Sequence, residues 1–171
     1  MAASAELRIQ DLPGPDRELA IPVLKEGFVG IYRWHAKRKL LGSDLVRAAW
    51  AGRELVGFAI LEQLLPQVGY VYYVAVGVSH RRAGVGRRLL DDALARFQAG
   101  GTEVVYAAAE EDNEPSIALF HTRGFREVSR DEPGWAEGGL GAWGLRSRMM
   151  VVHGEVLLGL RLRPPAAPST Q

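Results

Sequence analysis

Apolar and polar positions change rhythm several times along this chain, and each change predicts an element. Glu6–Asp11 (ELRIQD) alternates like a short strand, and Pro13-Gly14-Pro15 then turns the backbone. Asp16 suits the N-cap of the helical stretch that follows. Pro22 must kink, break or restart that helix, so two pieces are expected between about residues 16 and 41. Asp44–Leu65 reads as a hairpin, with strands Leu45–Ala51 and Glu54–Leu64 around a tight Gly52-Arg53 turn. Tyr70–Val78 is almost wholly apolar, β-branched or aromatic, as a strand covered on both faces should be. Leu89, Leu90, Ala93, Leu94 and Phe97 then recur on one face of a helix, which Gly100-Gly101 stops.

Thr102–Ala109 is the next strand, and strand–helix–strand at this spacing predicts a right-handed crossover between parallel neighbours. Pro115 fits the first turn of a short helix and Gly124 its left-handed end. Phe125–Ser129 is expected as a strand, as are Arg148–Val152 and Glu155–Leu162 around a His153-Gly154 turn. Pro133–Gly144 is a glycine-rich loop holding Trp135 and Trp143, read either as an acceptor-site flap or as plain surface. One domain is expected over residues 1–163, followed by a proline-rich, disordered tail over 164–171.

Composition narrows the function classes. Apolar residues make up 47% of the 171 and charged residues 24%, ordinary values for a globular domain. A net charge of +1 argues against bulk nucleic-acid binding. Without cysteine there is no disulfide framework, thiolate nucleophile or thiolate metal site, and His35 has no spacing partner that points to metal. Neither a signal pattern nor a membrane-length apolar run appears, so a cytoplasmic protein without membrane partners is expected.

The chemistry concentrates between the central strand and its helix. His80–Arg88 holds four arginines and no acid, with Gly84 and Gly86 at the turn. Exposed amides at a helix N-terminus favour an anion, glycines let backbone approach it, and arginines add charge. A dinucleotide fingerprint would need glycine where Leu89 stands, and the Gly-Lys-Ser/Thr of a P-loop is missing. What fits is Arg-Arg-Ala-Gly-Val-Gly (81–86), which resembles the Arg/Gln-x-x-Gly-x-Gly/Ala signature of the GCN5-related N-acetyltransferases (GNAT). Asn113, the short helix through Ala118-Leu119-Phe120 and Gly124-Phe125 resemble the family's second signature.

The resemblance implies a single α/β domain: a twisted mixed antiparallel/parallel sheet, helices on both faces, and a splayed central parallel strand pair. It implies acetyl-CoA as co-substrate, no metal, and direct acetyl transfer to a primary amine. Val76 and Val78, with Gly77 between them, would pair with the pantetheine arm, and the Val76 amide would face the thioester oxygen. Arg81, Arg82, Ala83, Gly84, Val85, Gly86 and Arg87 would hold the pyrophosphate, and Asn113 and Phe120 would line the cofactor. Asn113 also reads as a plain helix-start residue.

Two positions depart from the family pattern. Phe120 stands where a tyrosine acid is frequent, and Tyr70 where some members carry a base glutamate. Of the remaining candidates, Glu62, in an otherwise apolar strand, reads either as an outward-facing residue or as the expected base, ahead of His80 and of Glu110, Glu111 and Asp112. Tyr32 and Trp34, beside Arg33, Lys37, Arg38 and Lys39, read either as a solvated basic face with rings in the core or as an acceptor wall shared with Trp135 and Trp143. A peptide N-terminus is the expected acceptor, ahead of a small amine. An acyl-CoA-binding sensor without catalysis is the alternative, and a second copy of the chain stays open as a partner.

Overall fold

The computed structural model describes residues 6–129, 148–149 and 151–162. Strands β1 (Leu7–Asp11), β2 (Leu45–Ala51) and β3 (Glu54–Leu65) pair antiparallel in sequence order. Gly52, at φ +62°, closes the β2–β3 turn in backbone that L residues avoid. Pro66-Gln67 leads into β4 (Val68–Val76), which starts and stops two residues earlier than the apolar run suggests, because Val78–His80 winds into a 3-10 turn. In unbroken succession Val56–Leu61 of β3 and Val68–Tyr72 of β4 are buried, the pattern expected of strands covered on both faces.

Contacts divide the chain into two compact units. One holds residues 1–62 and 71–93, the other 63–70 and 94–171. The first contains β1, β2, most of β3, the last residues of β4, helices α1 (Ile21–Gly27) and α2 (Gly30–Gly42), and the start of α3 (Val85–Ala99). Pro22 sits in the first turn of α1, so the proline restarts the helix after a 3-10 turn over Gly14–Ala20. Asp16 is inside that turn, its N–H bonded to the Pro13 carbonyl at 3.0 Å, and does not cap it.

The second unit carries β5 (Val104–Glu110), α4 (Glu114–His121), β6 (Arg126–Glu127) and β7 (Glu155–Arg161). β7 pairs antiparallel with both β5 and β6, and the strand order is β1-β2-β3-β4-β5-β7-β6. Together these strands form the mixed sheet with flanking helices. Gly101 at φ +79° ends α3, and the Thr102 N–H turns back to the Phe97 carbonyl at 3.0 Å.

Two expected strands change. Phe125–Ser129 shortens to β6, and Arg148 and Met149 are helical where Arg148–Val152 was expected to be extended. A short apolar run such as MMVV does not distinguish strand from helix by periodicity alone. Long-range bonds fix the outcome here: the Tyr70 hydroxyl donates to the Met149 carbonyl at 3.1 Å, and the Arg148 guanidinium donates to the Leu64 carbonyl. The 133–144 loop with its tryptophans and the 164–171 tail lie outside the described residues.

One polar tie crosses from the sheet to the middle of α3. Arg47 on β2 grips Asp92 through Nε and Nη2 at 2.6 and 2.8 Å, and Asp11 on β1 through Nη1 at 2.7 Å. Only 12% of the Arg47 side chain is exposed, and both carboxylates hold its pKa above the ordinary arginine value. A bidentate, half-sheltered pair is the strong kind, and lysine cannot reproduce the fork. Arg47→Lys is expected to lower unfolding free energy by about 1–3 kcal/mol. Urea denaturation of wild type and variant would measure the difference.

Candidate active site

The end of β4 fixes where its backbone groups point. The Gly77 N–H donates to the Val56 carbonyl of β3 at 2.9 Å. Alternation along a strand then aims the groups of Val76 and Val78 away from β3. Both are engaged by side chains: Arg81 Nε donates to the Val76 carbonyl at 3.3 Å, and the Val78 N–H donates to Glu26 Oε2 at 2.7 Å. Glu26, from the last turn of α1, was not singled out in the sequence, because nothing local to it signals a partner 52 residues away.

Beyond the 3-10 turn, Arg82 (φ +62°) and Gly84 (φ +81°) adopt left-handed backbone, and α3 begins at Val85. A side chain at Gly84 would meet nothing within 4 Å, so conformation and approach, not crowding, require glycine there. The Arg88 N–H returns to the Gly84 carbonyl at 3.1 Å, while the amides before it belong to the helix's open N-terminus. Arg81, Arg82, Arg87 and Arg88 are all exposed around these amides. The result is a cationic, amide-lined turn of the kind that holds phosphate oxygens.

In the other unit, Asn113 caps α4, its side chain accepting from the Ser116 N–H at 3.2 Å. Phe120 is buried edge-on against Phe125, ring centroids 5.0 Å apart, and can donate no proton. Tyr70, equally buried, spends its hydroxyl on the Met149 carbonyl. Glu110, Glu111 and Asp112 are exposed at the end of β5.

A polar–aromatic cluster lies between α2 and the sheet of the first unit. Glu62 is ion-paired with Lys39 at 2.9 Å, and the Lys39 ammonium stands 4.1 Å over the Tyr72 ring. His35 Nδ1 lies 2.9 Å from the Tyr73 hydroxyl, whose ring meets Phe28 edge-on at 4.8 Å. Burial first, then the charges of Lys39 and Arg38, push the His35 pKa below its usual 6.5. Of the expected acceptor wall, Tyr32 is half-buried and Trp34 is 60% exposed with Arg38 stacked 5.7 Å away. Trp34 is therefore not a core ring; with exposed Val29 and Ile31 it forms an apolar patch at the start of α2. Among the described residues no group of three or more His, Cys, Asp or Glu could hold a metal, and no helix is long and apolar enough to cross a membrane.

Residues 9–125 match the Acetyltransferase (GNAT) family. The chain belongs to that family. It is 33% identical over 76 residues to mycothiol acetyltransferase from Corynebacterium glutamicum, covering 44% of this chain and 26% of that protein. It is 37% identical over 83 residues to N-alpha-acetyltransferase RimI from Mycobacterium tuberculosis, 47% of this chain and 51% of that one. The GNAT chain thus spans about a quarter of the first relative and half of the second. Its fold is similar to that of PaiA N-acetyltransferase from Thermoplasma acidophilum in complex with coenzyme A, with a TM-score of 0.70 and 15% identity over 92% of this chain and 99% of that one. At that identity the likeness concerns the fold alone.

Proposed function

We infer that this GNAT chain moves an acetyl group from acetyl-CoA directly onto a primary amine. The observation that carries the reading is the cationic turn of Arg81–Arg87, with left-handed Gly84 opening onto the N-terminus of α3. Its residues fit a pyrophosphate: exposed guanidinium groups, open space over Gly84, and helix-start amides. The coenzyme A named with the Thermoplasma neighbour supports the same ligand. Binding the arm along β4 would draw on the Val76 carbonyl and the Val78 amide, so Arg81 and Glu26 must yield or share them. The Val76 amide remains the group assigned to the thioester oxygen.

A peptide N-terminus is the acceptor we favour over small amines. At pH 7 a peptide α-amine with pKa near 7.7–8.0 is about 10–17% neutral, against ~0.04% for a lysine amine near 10.4. An exposed apolar patch with basic residues, Val29, Ile31 and Trp34 beside Arg33 and Arg38, suits a peptide that carries acids. The N-alpha-acetyltransferase named among the relatives supports the same class. The test is calorimetric titration with CoA, then acetyl-CoA turnover on matched N-terminal and lysine peptides, spermidine and an aminoglycoside. Saturable CoA binding with fastest turnover of the N-terminal peptide is expected. No binding at millimolar CoA ends the cofactor reading, and a preference for spermidine or lysine ends the peptide one. Phe120 and its buried phenyl contact favour a second reading, an acyl-CoA sensor, and binding without turnover of any amine would establish it.

A further inference from the structure

The cluster on α2 and β4 contains a hydrogen-bonded pair that no part of the acetyl-CoA site accounts for. Tyr72 and Tyr73 are successive residues, and a regular pleat would send them to opposite faces. Both nevertheless meet one imidazole: His35 lies 5.7 Å from the Tyr72 ring and 6.1 Å from the Tyr73 ring, centroid to centroid. Three residues before Val76, the Tyr73 hydroxyl lies 2.9 Å from His35 Nδ1.

We propose that Tyr73 and His35 are the pair that takes the proton from the incoming ammonium, a role that rests on the acetyltransferase reading above. Three residues of strand put Tyr73 about 10 Å of backbone from Val76, a gap that a phenol and a bound amine can bridge. Both side chains are half-buried. A phenol alone is a poor base, with a reference pKa near 10. One that passes its own proton to an imidazole as it accepts another never has to exist as a free phenolate.

The surroundings favour the uncharged imidazole. His35 faces Lys39 and Arg38 on its own helix, Tyr72 and Tyr73 on β4, and Glu62 of β3 through Lys39. Burial first, then the two cations, push its pKa below the usual 6.5, which favours the neutral imidazole that can accept a proton. Glu62, on β3, then acts as a positioning residue: its carboxylate holds Lys39 in place at 2.9 Å.

The step balances as follows. An N–H bond of the ammonium breaks and its proton goes to the Tyr73 oxygen, while the Tyr73 proton moves to His35 Nδ1. The freed lone pair forms the C–N bond at the thioester carbonyl, the C–S bond breaks, and sulfur departs with the electron pair. The second proton shed by nitrogen ends on that sulfur, and the His35 proton leaves to solvent. An alkyl thiol near pKa 8.5 is a good enough leaving group that no separate acid is demanded at Phe120.

The experiment is kcat/KM for acetyl transfer to an alanine-initiated peptide across about pH 5.5–9.5, for wild type, Tyr73→Phe, His35→Gln and Glu62→Gln. Wild type should fall at low pH through the lowered His35 pKa and stay level above it. Tyr73→Phe and His35→Gln should lose ~10²-fold near pH 6, about two units below the peptide amine's pKa, with the deficit shrinking about ten-fold per pH unit toward that pKa. There the amine arrives neutral and the pair has nothing to remove. Glu62→Gln should change kcat/KM by less than about ten-fold, whereas a catalytic base at Glu62 would cost the ~10²–10⁴-fold typical of such groups. Equal losses at every pH, or none, would overturn the pair. A wild type that binds CoA but acetylates no amine would strike the acetyltransferase reading instead.

Discussion

Gly57→Ala is expected to cost about 1–3 kcal/mol of stability and to weaken CoA binding with it. A methyl group at this position would stand 2.9 Å from the Ala75 backbone carbonyl and 3.1 Å from both Leu89 Cδ1 and Val85 Cγ1. The two side chains can give way by a few tenths of an ångström, but a carbonyl inside the sheet cannot rotate aside. Relief must therefore come from β4 at Ala75, one residue before Val76, or from α3 at its first residue, Val85. Either movement displaces amides assigned to the cofactor. Gly27→Ala is the control, because its methyl would meet only Ala75 Cβ at an ordinary 3.8 Å. In α1 that change should add roughly 0.5–1 kcal/mol by lowering backbone entropy in the unfolded chain. Urea unfolding and calorimetric CoA titration on both variants test the pair. Equal stability of the two variants would show that β3 and β4 are slack where they are drawn tight.

A second large effect is expected at Gly84, and its logic is the reverse, since space is plentiful there. The φ of +81° puts alanine in backbone that costs about 1–2 kcal/mol. Gly101 offers a matched comparison: φ +79°, nothing within 4 Å of an added methyl, but at the far end of α3. Both alanine variants should lose similar stability. Only Gly84→Ala should lose CoA affinity, by ten-fold or more, or about 1.4 kcal/mol. Comparable Kd values for the two variants would mean that the turn does not hold the pyrophosphate.

The sequence patterns carried the hairpin at Gly52, the buried β3 and β4 runs, the amphipathic α3 with its Gly100-Gly101 stop, and α4 between Asn113 and Gly124. These were legible because each depends on local rules: periodicity, caps, and glycines that must take positive φ. The cationic glycine turn of residues 81–87 was legible for the same reason, since its residues are consecutive. Contacts between distant residues were not. Tyr73 looked like one more apolar residue of a buried strand, and His35 like an isolated histidine on a basic helix, yet they meet across 38 positions. Glu62 stood out as an acid in an apolar strand, but its partner Lys39 lies in what read as a solvated run. The helical Arg148-Met149 step was hidden because the bonds that fix it reach back to Leu64 and Tyr70.

The position of β7 between β5 and β6 has a consequence for biosynthesis. On the ribosome, β5 and β6 emerge well before Glu155–Arg161, the segment that joins them. Until then the apolar run Val104–Ala109 presents a bare row of amides and carbonyls along the flank that β7 will later cover, and Arg126–Glu127 has no partner strand. A nascent chain stalled or cut before residue 155 would carry the whole cationic turn and still be an invitation to intermolecular strand pairing. Until Glu155–Arg161 arrives, that flank is the part of the sheet most open to intermolecular pairing.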